Sequence, residues 1–126
     1  MPKKKRVVVA EDEPGYLDLF EVALQNMGYE VYPVDDGKKA LQVCQKLEGI
    51  DLLISDVMMP GMDGYHLAQA VNDQLGDKAP KILLMTSRET SREKGIAEMA
   101  GAAVFLQKPI AMDTFTAKVK ELLEDA

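Results

Sequence analysis

Three acids, a hydroxyl and a lysine stand out because each closes a short apolar run. Glu11 and Asp12 follow Val7-Val8-Val9-Ala10, Asp56 follows Leu52-Leu53-Ile54, Thr86 follows Ile82-Leu83-Leu84-Met85, and Lys108 follows Val104-Phe105-Leu106. Carboxylates brought together repel and raise one another's pKa unless a cation joins them. Oxygen donors suit a hard divalent ion, and Mg²⁺ needs few protein ligands. A lysine and a hydroxyl beside such a cluster would receive a tetrahedral anion. The chemistry this set supports is phosphoryl transfer. Asp56 would be the nucleophile that becomes an acyl phosphate, and Mg²⁺ would neutralise the charge on the group in transfer.

That chemistry requires five distant positions to meet, so the elements between them matter. The apolar runs read as buried strands, and each is followed by a helical pattern. Pro14 opens the first helix, with Leu17, Phe20, Leu24 and Met27 on one face; Gly28 stops it. Glu30 to Val34 is a second strand. Asp35-Asp36-Gly37 turns into a helix carrying Ala40, Leu41, Cys44 and Leu47 inward. After Asp56, Pro60-Gly61 turns and Asp63 caps a helix beginning near Tyr65, whose face is Leu67, Ala68, Val71 and Leu75. Thr90-Ser91-Arg92-Glu93 reads as a capping box for a short helix to about Ala100, with a thin apolar face of Ile96, Met99 and Ala100. The last helix presents Met112, Phe115, Val119 and Leu122. Strand–helix alternation of this kind predicts an α/β fold, a parallel sheet covered on both faces, whose strand ends share one edge.

The bulk properties agree. The chain of 126 residues is 47% hydrophobic and predicts one globular domain, residues 1–126, with a real core. No apolar run reaches the length of a membrane helix, and nothing resembles a secretory signal. A single cysteine excludes an internal disulfide, and a cytoplasmic setting is expected. The net charge of −6 argues against a grip on nucleic acid. Lys3-Lys4-Lys5-Arg6, the one basic run, reads as a solvated lead-in to the first strand.

Taken together, Val8-Val9-Ala10-Glu11-Asp12-Glu13, Asp56-Val57-Met58-Met59-Pro60-Gly61-Met62-Asp63-Gly64, Leu84-Met85-Thr86-Ser87 and Phe105-Leu106-Gln107-Lys108-Pro109 resemble the receiver domains of two-component response regulators. The resemblance runs from Val7 to about Leu123. It implies a single-domain (βα)5 sheet of flavodoxin-like strand order 2-1-3-4-5. It makes Asp56 the phosphoacceptor and Asp12 a direct Mg²⁺ ligand. Glu11 becomes the acid that reaches the metal through water, and the Met58 backbone carbonyl a further ligand. Thr86 would follow the phosphoryl group and Lys108 pair with it across a cis Lys108-Pro109 bond, while Phe105 would be the aromatic switch. Met58 and Arg88 fall where the family tunes the lifetime of the phosphoryl group. Glu11 stands where Asp is commoner.

The implied function is a regulatory phosphoacceptor, not an enzyme in its own right, although it assists its own phosphorylation and dephosphorylation. A sensor histidine kinase or histidine phosphotransfer protein would supply the phosphate. A downstream protein would read the face made by the short helix, the strand at Phe105 and the last helix, which could also serve a weak dimer. A haloacid-dehalogenase-like phosphohydrolase would use similar residues, but it needs a second Asp two residues after the nucleophile, where this chain has Met58, and a cap that is missing. A degenerate docking receiver would not keep the acids, Thr86 and Lys108. The sole histidine, His66, reads as an exposed helix residue, Cys44 as a buried inert thiol, and Asp35 and Asp36 as a turn and a cap.

Overall fold

A computed structural model describes residues 4–87 and 90–124, of which residues 90–92 are described by backbone alone. Five strands alternate with five helices: β1 (Arg6–Ala10), α1 (Pro14–Asn26), β2 (Glu30–Val34), α2 (Gly37–Lys46), β3 (Leu52–Asp56), α3 (Gly64–Leu75), β4 (Lys81–Thr86), α4 (Thr90–Met99), β5 (Val104–Gln107) and α5 (Met112–Glu124). All strand pairs are parallel, in the order β2-β1-β3-β4-β5. The expected order and alternation are therefore observed. A 3-10 turn at Gly76–Lys78, not anticipated, leads into β4.

The sheet is buried on two faces, which is why its central strands are apolar at consecutive positions. Val8, Ala10, Leu53, Ile82 and Leu84 face α2, α3 and α4, where Ala40, Cys44, Leu67, Ala68, Val71 and Ala97 complete one core. Val7, Val9, Leu52, Ile54, Leu83 and Met85 face Phe20, Leu24, Phe115, Val119 and Leu123 in the other. Pro33 sits on β2, an edge strand, where a missing N–H costs least.

Two helix faces differ from expectation. Among the described residues of α4 the fully buried one is Ala97, whereas Ile96 is 47% and Met99 90% exposed. The helix approaches closely enough for the Asn72 amide to donate to the Ala100 carbonyl at 3.2 Å. A small residue permits that approach, and a large one would wedge the helix away. On α5 it is Leu123 that is buried, and Leu122 only partly. The capping box at Thr90 falls on a side chain outside the described set; the Glu93 carboxylate accepts from the Tyr65 hydroxyl at 2.8 Å.

Candidate functional site

The carboxyl ends of β1, β3, β4 and β5 lie along one sheet edge because the strands are parallel and in register. Ala10 pairs with Ser55, Asp56 with Met85, and Thr86 with Gln107. Asp56 and Thr86 end β3 and β4 there, and Glu11 and Lys108 directly follow the last residues of β1 and β5. Glu11 is fully buried, Asp56 is 6% exposed and Lys108 8%. Such groups are tolerated only when paired.

The pairing centres on the lysine. Its Nζ lies 2.6 Å from Glu11 Oε1 and 3.3 Å from Asp56 Oδ2. The second Glu11 oxygen accepts from the Glu13 amide at 3.1 Å. Burial pushes the Glu11 carboxyl above its usual range, against the Lys108 hydrogen bond that pulls it down. Burial also opposes the Lys108 ammonium, but the Glu11 hydrogen bond and the Asp56 charge outweigh it and hold its pKa above the ordinary value. Lys108 therefore stays charged at neutral pH. The Lys108-Pro109 peptide bond is cis, as the resemblance implied.

The loop after Asp56 is fixed from both sides. The Val57 amide donates to the Met85 carbonyl at 2.7 Å, and the Gly64 amide to the Val57 carbonyl at 2.9 Å. A Cβ on Gly64 would come within 2.6 Å of the Asp56 carbonyl oxygen, so only glycine lets α3 begin this close to the strand end. Gly61 has φ 81°, completing the turn announced by Pro60-Gly61. Asp63 caps α3 by accepting from the His66 amide at 2.8 Å.

Asp12 is exposed beside this buried pair. Glu11, Asp12 and Asp56 each bring one oxygen within 4.8 Å of the others. Among the described residues, one close ammonium, Lys108, stands against these three carboxylates. A hard divalent cation on oxygen donors fits that imbalance. A cavity of about 430 Å³ opens over the cluster, lined by Asp12, Glu13, Tyr16, Asp56, Met58, Ser87, Lys108 and Pro109. A larger hollow of about 690 Å³ lies around Cys44, Ile50 and Pro80, beside the start of β4. Two of its charged residues are already engaged: Asp51 accepts from the Arg6 amide and Lys81 donates to the Leu122 carbonyl. It gathers no reactive set.

Of the residues singled out from the sequence, Glu11, Asp12, Asp56 and Lys108 come together, and Met58 lines their cavity. Thr86 is fully buried at the end of β4, one strand from Asp56; its carbonyl accepts from the Lys108 amide at 2.7 Å. Phe105 is half-buried on β5, on the α4 side of the sheet. Arg88 lies outside the described residues. His66 is largely exposed and pairs with Asp63. Cys44 is 3% exposed, and burial raises its thiol to about 11. Sequence reasoning missed Tyr16, whose ring lies 4.3 Å from Lys108 Nζ. The available signal was its place in the first turn of α1, because helical side chains lean back toward the N-terminus, here toward the acidic strand end.

The model of the response regulator receiver domain matches residues 7–120, and the chain belongs to that family. Its members are regulatory phosphoacceptors of two-component signalling rather than enzymes of the ordinary kind. Among curated relatives, the transcriptional regulatory protein YrkP of Bacillus subtilis is 35% identical over 114 residues, 90% of this chain and 47% of that protein. Two response regulators of Arabidopsis thaliana, ARR21 and ARR11, are 36% and 38% identical, over 17% and 21% of their lengths. The chain thus spans about half or less of the relatives it matches. Among solved structures, the chemotaxis response regulator CheY4 of Vibrio cholerae superposes with TM-score 0.88 at 31% identity, covering 96% of this chain and 100% of that one. The response regulator TrrA of Thermotoga maritima, solved in complex with Mg²⁺-BeF, gives 0.83 at 32%, covering 94% and 99%.

Proposed function

We propose that Asp56 is the phosphoacceptor of a phosphorylation switch, supplied by a histidine kinase or a histidine phosphotransfer protein. The observation that carries this is the Asp56 carboxylate, nearly buried, 3.3 Å from a paired lysine, clustered with Glu11 and Asp12 and lining an open cavity. An Asp56 oxygen attacks phosphorus, the bond from phosphorus to the donor imidazole nitrogen breaks, and the imidazole leaves with the electron pair. Lys108 is placed to answer charge on the phosphoryl oxygens, and Thr86 at the neighbouring strand end is the hydroxyl that would follow them. Mg²⁺ suits Glu11, Asp12, Asp56 and the Met58 carbonyl, and when bound it would screen the charge that builds up between nucleophile and donor. Met58 and Arg88 would tune how long the phosphoryl group survives. Phosphorylation adds nearly two negative charges at the β3 end. Drawing Thr86 toward them would free space for Phe105 to turn inward and change the surface of α4, β5 and α5, where a downstream protein would bind.

Acetyl phosphate with Mg²⁺ tests the central step, since its phosphorus–oxygen bond breaks and acetate leaves. One acid- and base-labile phosphoryl group per chain is expected, and none on Asp56→Asn. Undiminished labelling of that variant would remove Asp56 from the role.

A further inference from the structure

Resting on the phosphoacceptor reading, we infer that Tyr16 is a positioning residue that acts through Lys108. The Lys108 ammonium is 4.3 Å from the centroid of the Tyr16 ring, well within the range over which a ring face attracts a cation. With Glu11 at 2.6 Å and Asp56 at 3.3 Å, the ring is the third neighbour of a group with three N–H donors. Tyr16 also forms part of the cavity wall over Asp56.

The ring is itself held in place. It stacks on Phe20 with centroids 5.6 Å apart, and Phe20 stacks on Phe115 at 4.6 Å. Phe20 is 1% exposed and Phe115 fully buried, so this column runs from the site through the core to α5. A ring face attracts without demanding one hydrogen-bond direction. When a phosphoryl group arrives on Asp56, Lys108 must shift its bonding from Glu11 toward the new oxygens. The ring lets the ammonium make that shift without losing its third contact. It also holds the lysine stem over Asp56 rather than toward solvent.

The test compares wild type, Tyr16→Phe and Tyr16→Leu in two measurements. One is the rate at which acetyl phosphate and Mg²⁺ label Asp56. The other is the NMR shift of the Lys108 ε-methylene without metal, which an overlying ring moves upfield of exposed lysines. Tyr16→Leu should abolish the upfield displacement and slow labelling about fivefold, equivalent to about 1 kcal/mol, with little change in melting. Tyr16→Phe should restore both readouts to near wild type. Wild-type labelling and an unmoved Lys108 in Tyr16→Leu would overturn the inference, and equal losses in Tyr16→Phe would overturn the ring's part in it. If the leucine variant does not fold, Tyr16→Met is read by the same two outcomes. Failure of wild type itself to label at Asp56 would instead overturn the phosphoacceptor reading beneath.

Discussion

Helices α3 and α4 each follow a strand end that carries a site residue, yet they are anchored in different ways. The α3 helix is capped by Asp63 and buries Leu67, Ala68 and Val71 completely. Among the described residues of α4, only Ala97 is fully buried, and its larger apolar side chains, Ile96 and Met99, face outward. A fully buried leucine or valine contributes about 1.5–3 kcal/mol, but a methylene-sized group only about 0.8. Lifting α3 from the sheet would therefore cost several kcal/mol, and moving α4 far less. Among the described residues, α3 also tethers this segment by hydrogen bonds, including the Tyr65 hydroxyl to Glu93 at 2.8 Å and the Asn72 amide to the Ala100 carbonyl at 3.2 Å. Directional bonds of this kind can be remade after a small displacement, whereas a packed core resists gradual deformation. One helix is packed firmly beside the Asp56 loop, and the other is held by little buried side-chain bulk.

The most severe challenge to this contrast is truncation. Leu67→Ala should destabilise by about 2–5 kcal/mol, the range for deleting a buried leucine. Met99→Ala should stay within about 0.5 kcal/mol, because the side chain is 90% exposed. Paired urea melts decide it, and a comparable loss in both variants would erase the distinction.

A smaller effect sharpens the contrast by loosening one tether. Tyr65→Phe removes a hydrogen bond with a net contribution of about 0.5–1.5 kcal/mol. Amide exchange from 94 to 100 should accelerate by about two- to tenfold, while exchange from 67 to 71 holds. Beryllofluoride with Mg²⁺, a mimic of the phosphoryl group, should shift amides over the same stretch of α4 and at Phe105. Shifts confined to the loops around Glu11, Asp56 and Lys108 would show that α4 does not respond.

How much of this was legible from sequence depended on the size of the side chain that makes each contact. β-Branched and leucine runs announced the strands, and glycine, proline and aspartate marked the turns, because those residues act through the backbone or through bulk. The converging acids and Lys108 were readable once the strands were known to be parallel, since parallel strands share an edge. The α4 face was not readable, because the position buried there holds the small Ala97 while an apolar pattern favours the bulkier Ile96 and Met99. The hold of Tyr16 on Lys108 was hidden for a different reason. It joins residues far apart in sequence through a ring face; the place of Tyr16 in the first turn of α1 points it toward the strand end but does not name Lys108 as its partner. The Glu11–Lys108 bond joins residues 97 positions apart, which only three-dimensional placement reveals.

The smallest expected effect concerns Cys44, which serves as a probe of the anchored side. It lies on α2 in the same core as Leu67 and Val71, 3% exposed, with its thiol raised from 9.0 to about 11 by burial. The thiolate is the reactive form, so at pH 8 its fraction falls about a hundredfold below that of an ordinary cysteine, before any steric block is counted. The sign for stability follows from the same shift. The unfolded chain releases this proton near the ordinary value while the folded chain retains it, so the contribution is present below pH 9.0 and is lost as pH rises toward about 11. Iodoacetamide should therefore modify native Cys44 slowly at pH 8, and beryllofluoride with Mg²⁺ should leave that rate nearly unchanged. A cysteine introduced by Met99→Cys, in a Cys44→Ala background, should react at the rate of a free thiol and respond when α4 moves. Rapid labelling of Cys44, or a Cys44 rate that rises with beryllofluoride, would mean that the switch reaches the α2 and α3 side, and that the division between a fixed and a mobile flank has been drawn in the wrong place.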